Sequence, residues 1–230
     1  MLAWDKNRGK WRTAPGATFR AIRPGLNLTQ KESERRVAGY IKVIAGEMFS
    51  GKSTELARLI ERSLIAGLTV QVLVPEFSNR GSSRDVERRL REMRGEWTIT
   101  PVPEGRGAAL SELVLPNSLV IAVDEAQFFD DDLITFCREW RMQGRQVLVA
   151  GLDMDFRERP FGPMGTLMCI ANEVMKVHAV CTQCRQQDAF ISHRLSSEAD
   201  QVVVGETNYT ALCCDCYQLV LRGTDARRGQ

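Results

Sequence analysis

From residue 40 onward, the apolar residues fall into two alternating patterns. Short, near-continuous runs of Val, Ile and Leu occur in YIKVIAG (40–46), TVQVLVP (69–75), SLVIAVDE (118–125) and QVLVAGLD (146–153). Runs of this kind predict strands buried on both faces. WTITPVP (97–103) is less apolar and is read as a further strand. Between the runs, apolar residues recur at helical spacing. Leu56, Leu59, Ile60 and Leu64 form one such stripe, closed by Gly67, and residues 132–143 form another. Strands alternating with helices predict an α/β fold, a parallel sheet with helices on both faces. Two stretches break the rhythm. Residues 77–95 (FSNRGSSRDVERRLREMRG) are polar and are expected to be mobile or partly helical. Residues 153–165 (DMDFRERPFGPMG) read as a loop punctuated by Gly and Pro. No internal repeat is present.

A chain of 230 residues accommodates one such domain and a small appendage. No stretch approaches the roughly 20 apolar residues of a membrane span. The first residues lack the apolar core of an export signal. The net charge of +2 is unevenly spread: Lys6, Arg8, Lys10, Arg12, Arg20 and Arg23 face only Asp5 near the start, which leaves the rest of the chain slightly acidic. A slightly acidic body argues against a surface that coats nucleic acid. The basic segment (1–36) is broken by Gly and Pro and reads as a poorly ordered arm. A weak polyanion contact and an organelle transit peptide are the alternatives for it.

The first run leads into GEMFSGKST (46–54), which carries the pattern G-x-x-x-x-G-K-[ST]. Small residues let backbone N–H groups curl around phosphate oxygens at the start of a helix. Lys52 adds a charge at the β/γ-phosphates, and the Ser53 hydroxyl can hold Mg²⁺. The strand before it and the amphipathic helix after it are the context this loop requires. A second feature is VIAVDEAQFF (120–129), an apolar strand ending in Asp124 and Glu125. Asp124 suits the carboxylate that approaches Mg²⁺, and Glu125 lies where a base would orient an attacking group. Glu125 could instead cap the next helix. DEAQ alone leaves water and an alcohol equally open as the nucleophile.

Seven cysteines include two C-x-x-C pairs, Cys181/Cys184 and Cys213/Cys216, separated by 28 residues. Four thiolates so spaced can converge tetrahedrally on Zn²⁺ with no position left open, a structural site. Disulfides and free thiols are the alternatives. Cys137, Cys169 and Cys214 read as structural, in the manner of small buried hydrophobes.

Together, GEMFSGKST, AVDEAQFF, GLDMDFRERPFGPM, HAVCTQC and VVVGETNYTALCCDCY resemble the type II, cytosolic thymidine kinases. The match runs in order from about Ile41 to Tyr217 and is less clear over 77–117. GLDMDF followed by PFGP discriminates far better than the phosphate loop. The resemblance implies a P-loop, RecA-like α/β domain (37–177), a small zinc-binding lasso domain (178–218) and a C-terminal tail (219–230). It also implies a cytoplasmic homotetramer that moves the γ-phosphate of ATP, with Mg²⁺, to the 5′-hydroxyl of thymidine. No membrane or nucleic-acid partner is implied. The catalytic base falls on Glu125. ATP contacts fall on Gly46, Glu47, Met48, Phe49, Ser50, Gly51, Lys52, Ser53, Ser78, Asn79, Arg80, Asp124 and Gln127. The nucleoside pocket falls on Met48, Phe128, Leu152, Phe156, Phe161, Ser192 and Tyr209. Backbone groups of Gln201, Val202, Val203, Val204 and Gly205 would read the base.

The tethered segment between the cysteine pairs suits a lid. Phe156 and Phe161, in a Gly/Pro-rich loop, would cover a flat base or pack beneath their own loop. Four features depart from the family pattern, one being that the loop after Cys184 is one residue longer and the segment before Tyr209 one shorter. Ser78 stands where an Asp is usual, although Arg80 is retained. The tyrosine and the Ser-His-Asp-Gly run usual after that Arg are missing. The basic arm has no assigned counterpart. The rival reading is a nucleic-acid-stimulated ATPase with a structural zinc module. A non-catalytic relative is a third reading, weakened by retention of Lys52, Ser53, Asp124 and Glu125.

Overall fold

The computed structural model describes residues 2–5, 10–13, 39–76, 83–103, 110–195 and 208–228. It divides into two compact units, Met1–Arg36 and Val37–Gln230. In the first unit, β1 (Leu2–Asp5) pairs antiparallel with β2 (Lys10–Thr13). The composition of the arm did not announce these strands.

The second unit is built on a parallel sheet of six strands in the order β5-β4-β6-β7-β3-β8. Its members are β3 (Tyr40–Gly46), β4 (Val70–Pro75), β5 (Trp97–Val102), β6 (Val120–Val123), β7 (Gln146–Leu152) and β8 (Glu173–Lys176). Because side chains alternate across a pleated strand, each strand feeds two cores. Ile41, Val43, Leu73, Ile121, Val123, Val147 and Val149 face one helical layer, and Ile44, Val70, Val72, Val74, Val120 and Leu148 face the other. Helix α1 (Lys52–Ile65) packs Leu56, Ile60 and Leu64 into the second layer, joined by Val86 and Leu90 of α2 (Ser83–Leu90). The short α3 (Leu110–Leu113), α4 (Asp132–Met142) and α5 (Met164–Ile170) build the first layer through Leu110, Leu133, Cys137, Trp140, Met164 and Leu167. Pro101 is accommodated because β5 is an edge strand, where a missing N–H costs no interior ladder bond.

The opposite edge strand, β8, is absent from the sequence reading. Its residues are largely exposed, so they lack the apolar run that marked the others. Asn172 docks it: its side-chain oxygen accepts the Ile41 amide at 2.9 Å, while its own amide donates to the Ile41 carbonyl at 2.8 Å. Beyond the sheet, β9 (Ile191–Arg194) and β10 (Tyr209–Leu212) form an antiparallel ladder, and α6 (Cys214–Arg228) closes the chain as a helix rather than a tail. Cys137 is buried as expected, but Cys169 and Cys214 are exposed. Helix α5 commits Met164 and Leu167 to the core, and Cys169, two positions further round, faces outward. Among the described residues, no helix is long and apolar enough to cross a membrane.

Candidate active site

The phosphate loop occupies the turn between β3 and α1, at the carboxyl edge of the sheet, where open α/β sheets receive ligands. At Gly46 the constraint is close approach: a Cβ there would lie 2.1 Å from the Val177 carbonyl oxygen. Gly51 caps α1 in the left-handed region, φ 84°, where glycine carries no penalty. Lys52 Nζ donates to the Glu47 carbonyl at 2.7 Å, and Ser50 Oγ donates to the same oxygen at 2.7 Å. Burial pushes the Lys52 ammonium below its ordinary range. Glu125, Asp124, Glu47 and Asp153 pull it back up. The charge on the amine is thus favoured by the acidic groups of the site and opposed by burial.

The Glu47 side chain leaves the loop altogether. It is buried, accepts the Ala179 amide on Oε1 and lies 3.3 Å from His178 Nδ1 through Oε2. Next to it, Met48 N donates to Ser192 Oγ at 3.0 Å. Two consecutive residues of the phosphate loop are thus tied to the segment around the cysteine cluster.

Asp124 and Glu125 follow β6. Asp124 is buried, and that burial, with the Glu125 charge, pushes its carboxyl up to about 8; the Glu125 amide, Lys52 and Ser53 act in the other direction. Its Oδ1 accepts the Glu125 amide at 3.1 Å, whereas the buried Oδ2 has no hydrogen-bond partner. An orphaned buried carboxylate oxygen beside the Ser53 hydroxyl is a donor set that suits Mg²⁺. Glu125 itself adopts φ 53°, ψ 42°, a left-handed conformation that costs a non-glycine residue on the order of 1–3 kcal/mol and recurs at functional sites. Gln127 donates from Nε2 to Glu125 Oε2 at 2.6 Å and accepts the Leu152 amide on Oε1 at 2.9 Å.

The remaining candidates gather along the same edge. Phe128 meets Phe161 edge-on, with ring centroids 5.6 Å apart. Phe156 lies under the Arg194 guanidinium, 3.8 Å from carbon to ring centroid, and Arg194 Nη2 also donates to the Tyr209 hydroxyl at 2.5 Å. Both phenylalanines thus have partners within the protein. Ser192 and Arg194 lie on β9, and Tyr209 opposes Arg194 across the ladder. Ser78, Asn79, Arg80 and the Gln201, Val202, Val203, Val204 and Gly205 segment lie outside the described residues.

The four Sγ atoms of Cys181, Cys184, Cys213 and Cys216 all lie within 4.8 Å of one another. Tetrahedral zinc with bonds of about 2.3 Å needs sulfur separations of about 3.8 Å, and Cys184 and Cys213 stand at 3.9 Å. Burial would raise the Cys181 thiol, but amides of Cys184, Cys213 and Gln183 bring it down to about 6, whereas Cys213 is raised and Cys216 is pushed up to about 12 by burial and the neighbouring thiols. Cys214 is not part of the cluster.

Sequence reasoning missed Arg194, His178, the Asp153–Lys176 ion pair at 3.0 Å and the outward reach of Glu47. No short motif flags any of them. The only signal was Arg194 standing two positions after Ser192 in a predicted pocket.

The thymidine kinase family model matches residues 39–217. A thymidine kinase of Bacteroides thetaiotaomicron is 42% identical over 197 residues, 85% of this chain and 94% of that protein. A thymidine kinase of Porphyromonas gingivalis is 41% identical over 182 residues, 78% of this chain and 85% of that protein. Among solved structures, the flagellar accessory protein FlaH of Methanocaldococcus jannaschii aligns over 65% of this chain and 78% of its own, at 14% identity and a TM-score of 0.42.

Proposed function

The chain belongs to the thymidine kinase family, and from that premise we propose that it transfers the γ-phosphate of ATP to the 5′-hydroxyl of thymidine, giving dTMP and ADP. The observation that carries the reading is the junction of two half-sites. The loop suited to the triphosphate is tied through Met48 N to Ser192, on the ladder that holds Tyr209 and, through Arg194, Phe156.

In this mechanism the loop amides and the α1 N-terminus hold the phosphates, and Lys52 offsets charge on the transferring group. Glu125 takes the proton of the 5′-hydroxyl as the new oxygen–phosphorus bond forms and the bond to the ADP oxygen breaks. Ser53 and Asp124 would hold Mg²⁺ with the nucleotide, where it would neutralise charge on the phosphate oxygens. Phe156, Phe161 and Phe128 form the apolar side of the nucleoside pocket, with Arg194 fixing Phe156. The four cysteines would hold Zn²⁺ as a structural ion, keeping β9 and β10 at the mouth of the site. The expected homotetramer belongs to the same proposal and is tested by light scattering on the purified protein.

Purified protein with ATP and Mg²⁺ should release ADP when thymidine is added and produce dTMP in equal amount. Release stimulated by single-stranded DNA but not by thymidine would replace this reading with a nucleic-acid-dependent ATPase.

A further inference from the structure

We propose that Gln127 is the positioning residue for Glu125, holding the base and the wall of the nucleoside pocket on the two ends of one side-chain amide. The proposal rests on the reading of Glu125 as the base.

Gln127 sits in the single 3₁₀ turn Ala126–Phe128 that follows β6, and it is 3% exposed. Its two polar ends have unlike partners. The NH₂ group meets a carboxylate, Glu125 Oε2, at 2.6 Å, and the carbonyl oxygen meets an N–H, that of Leu152, at 2.9 Å. Only one orientation of the amide satisfies both, so the partners themselves set it. In a dry setting a side chain satisfied at both ends is rigid, and a half-satisfied one is costly.

Two glycines pack closely against Gln127, one at its side chain and one at its backbone. A Cβ on Gly151 would lie 2.8 Å from Gln127 Oε1, and one on Gly162 would lie 2.2 Å from the Gln127 carbonyl oxygen. Gly162 also has φ +51°, which glycine adopts freely. Gly151 thus leaves room for the side-chain amide alongside Met164 Sδ, which a Cβ would meet at 2.7 Å, and Gly162 lets its segment close on the Gln127 backbone.

The consequence concerns the Glu125 carboxylate. Its backbone is pinned, because its carbonyl accepts the Phe128 amide at 3.1 Å and its amide reaches Asp124 Oδ1 at 3.1 Å. The side chain still has three rotatable bonds. With Oε2 engaged by Gln127, the other oxygen is the one presented to a hydroxyl. Phosphoryl transfer depends chiefly on positioning, and misplacing a reacting group by about 1 Å can cost on the order of 10²-fold in rate. The same amide joins the base to Leu152, so the pocket wall and the proton acceptor are held in register. A nucleotide-binding role for Gln127 would require one of these two bonds to be given up.

The test is a double-mutant cycle on the full chain. Gln127→Met keeps the length of the side chain and removes both polar ends. It should lower kcat for thymidine phosphorylation by roughly 10–100-fold while both KM values stay within about threefold. In an Glu125→Gln background, where there is no carboxylate to aim, Gln127→Met should bring no further loss. Gln127→Glu keeps an acceptor for the Leu152 amide and turns the donor into an acceptor. It should be as slow as Gln127→Met, and it carries the cycle if the methionine variant does not fold. An unchanged kcat, a loss that adds fully onto that of Glu125→Gln, or a raised KM for ATP at constant kcat would each overturn the proposal. A parent protein without thymidine-dependent turnover, or a Glu125→Gln variant as fast as the parent, removes the reading of Glu125 as the base and this proposal with it.

Discussion

The guanidinium of Arg194 lies over the face of Phe156, 3.8 Å from its centroid, and the same group donates two hydrogen bonds to the Tyr209 hydroxyl at 3.2 and 2.5 Å. Arg194 is buried, so the stacking is desolvated and of the stronger kind, worth about 2 kcal/mol. One side chain therefore fixes two residues of the proposed nucleoside pocket.

Arg194→Met should raise the KM for thymidine by roughly 10–30-fold, because that stacking is lost and Tyr209 is released, while kcat stays within about threefold. Arg194→Lys should recover only part of the loss, since an ammonium lacks the flat fork that stacks and donates together. Steady-state kinetics with thymidine as the varied substrate provide the check. An unchanged KM would remove Arg194 from the pocket.

Glu47 is buried and accepts the Ala179 amide, so its loss leaves an N–H without its partner. Glu47→Ala should destabilise the protein by about 1–3 kcal/mol in urea unfolding. Glu47→Gln retains an acceptor oxygen and should cost less. Equal stability of all three proteins would show that the tie between the loop and Ala179 carries no weight.

The cysteines divide into three reactive classes. In zinc-loaded protein, Cys169 and Cys214 are exposed and should react promptly with a thiol reagent. Chelation should release the cluster of Cys181, Cys184, Cys213 and Cys216 and add four reactive thiols. Cys137, whose thiol burial pushes up to about 12, should react only on unfolding. Six prompt thiols before chelation would contradict a metal-bound cluster.

His193 lies on β9 beside the ring of Tyr217, with centroids 5.7 Å apart, and burial holds its imidazole below the ordinary value of 6.5. Burial disfavours the charged form, so the folded state binds a proton less readily than the unfolded state. Its contribution is complete above 6.5 and lost as pH falls from there through the lower folded value. Between pH 7.5 and 5.5, the parent should lose more stability than a His193→Gln variant. Parallel profiles would rule out this source of acid sensitivity.

The legible part of this chain is the part governed by nearest-neighbour pattern. Strands β3, β4, β6 and β7 were readable because both their faces are buried, so each is an unbroken apolar run. β8 was not readable, since an exposed edge strand has no such run. The stretch of α6 after residue 218 read as a tail because Leu219 and Leu221 stay exposed and Val220 packs only on the cysteine cluster, which leaves no clear apolar stripe. At the site, the phosphate loop, the DEAQ acids and the paired cysteines each carry their chemistry at fixed spacing. Glu47, Gln127 and Arg194 act through partners 132, 25 and 15 positions away. Spacing along a sequence holds no trace of such contacts until the fold closes them.

The most direct test of the account follows the label from γ-³²P-ATP in the parent protein and in Glu125→Gln, with thymidine as acceptor. The account predicts labelled dTMP formed one for one with ADP by the parent. It also predicts a loss on the order of 10²–10⁴ in kcat for the variant, with nucleotide binding retained. Label appearing as inorganic phosphate in place of dTMP, or a variant as fast as the parent, would contradict it.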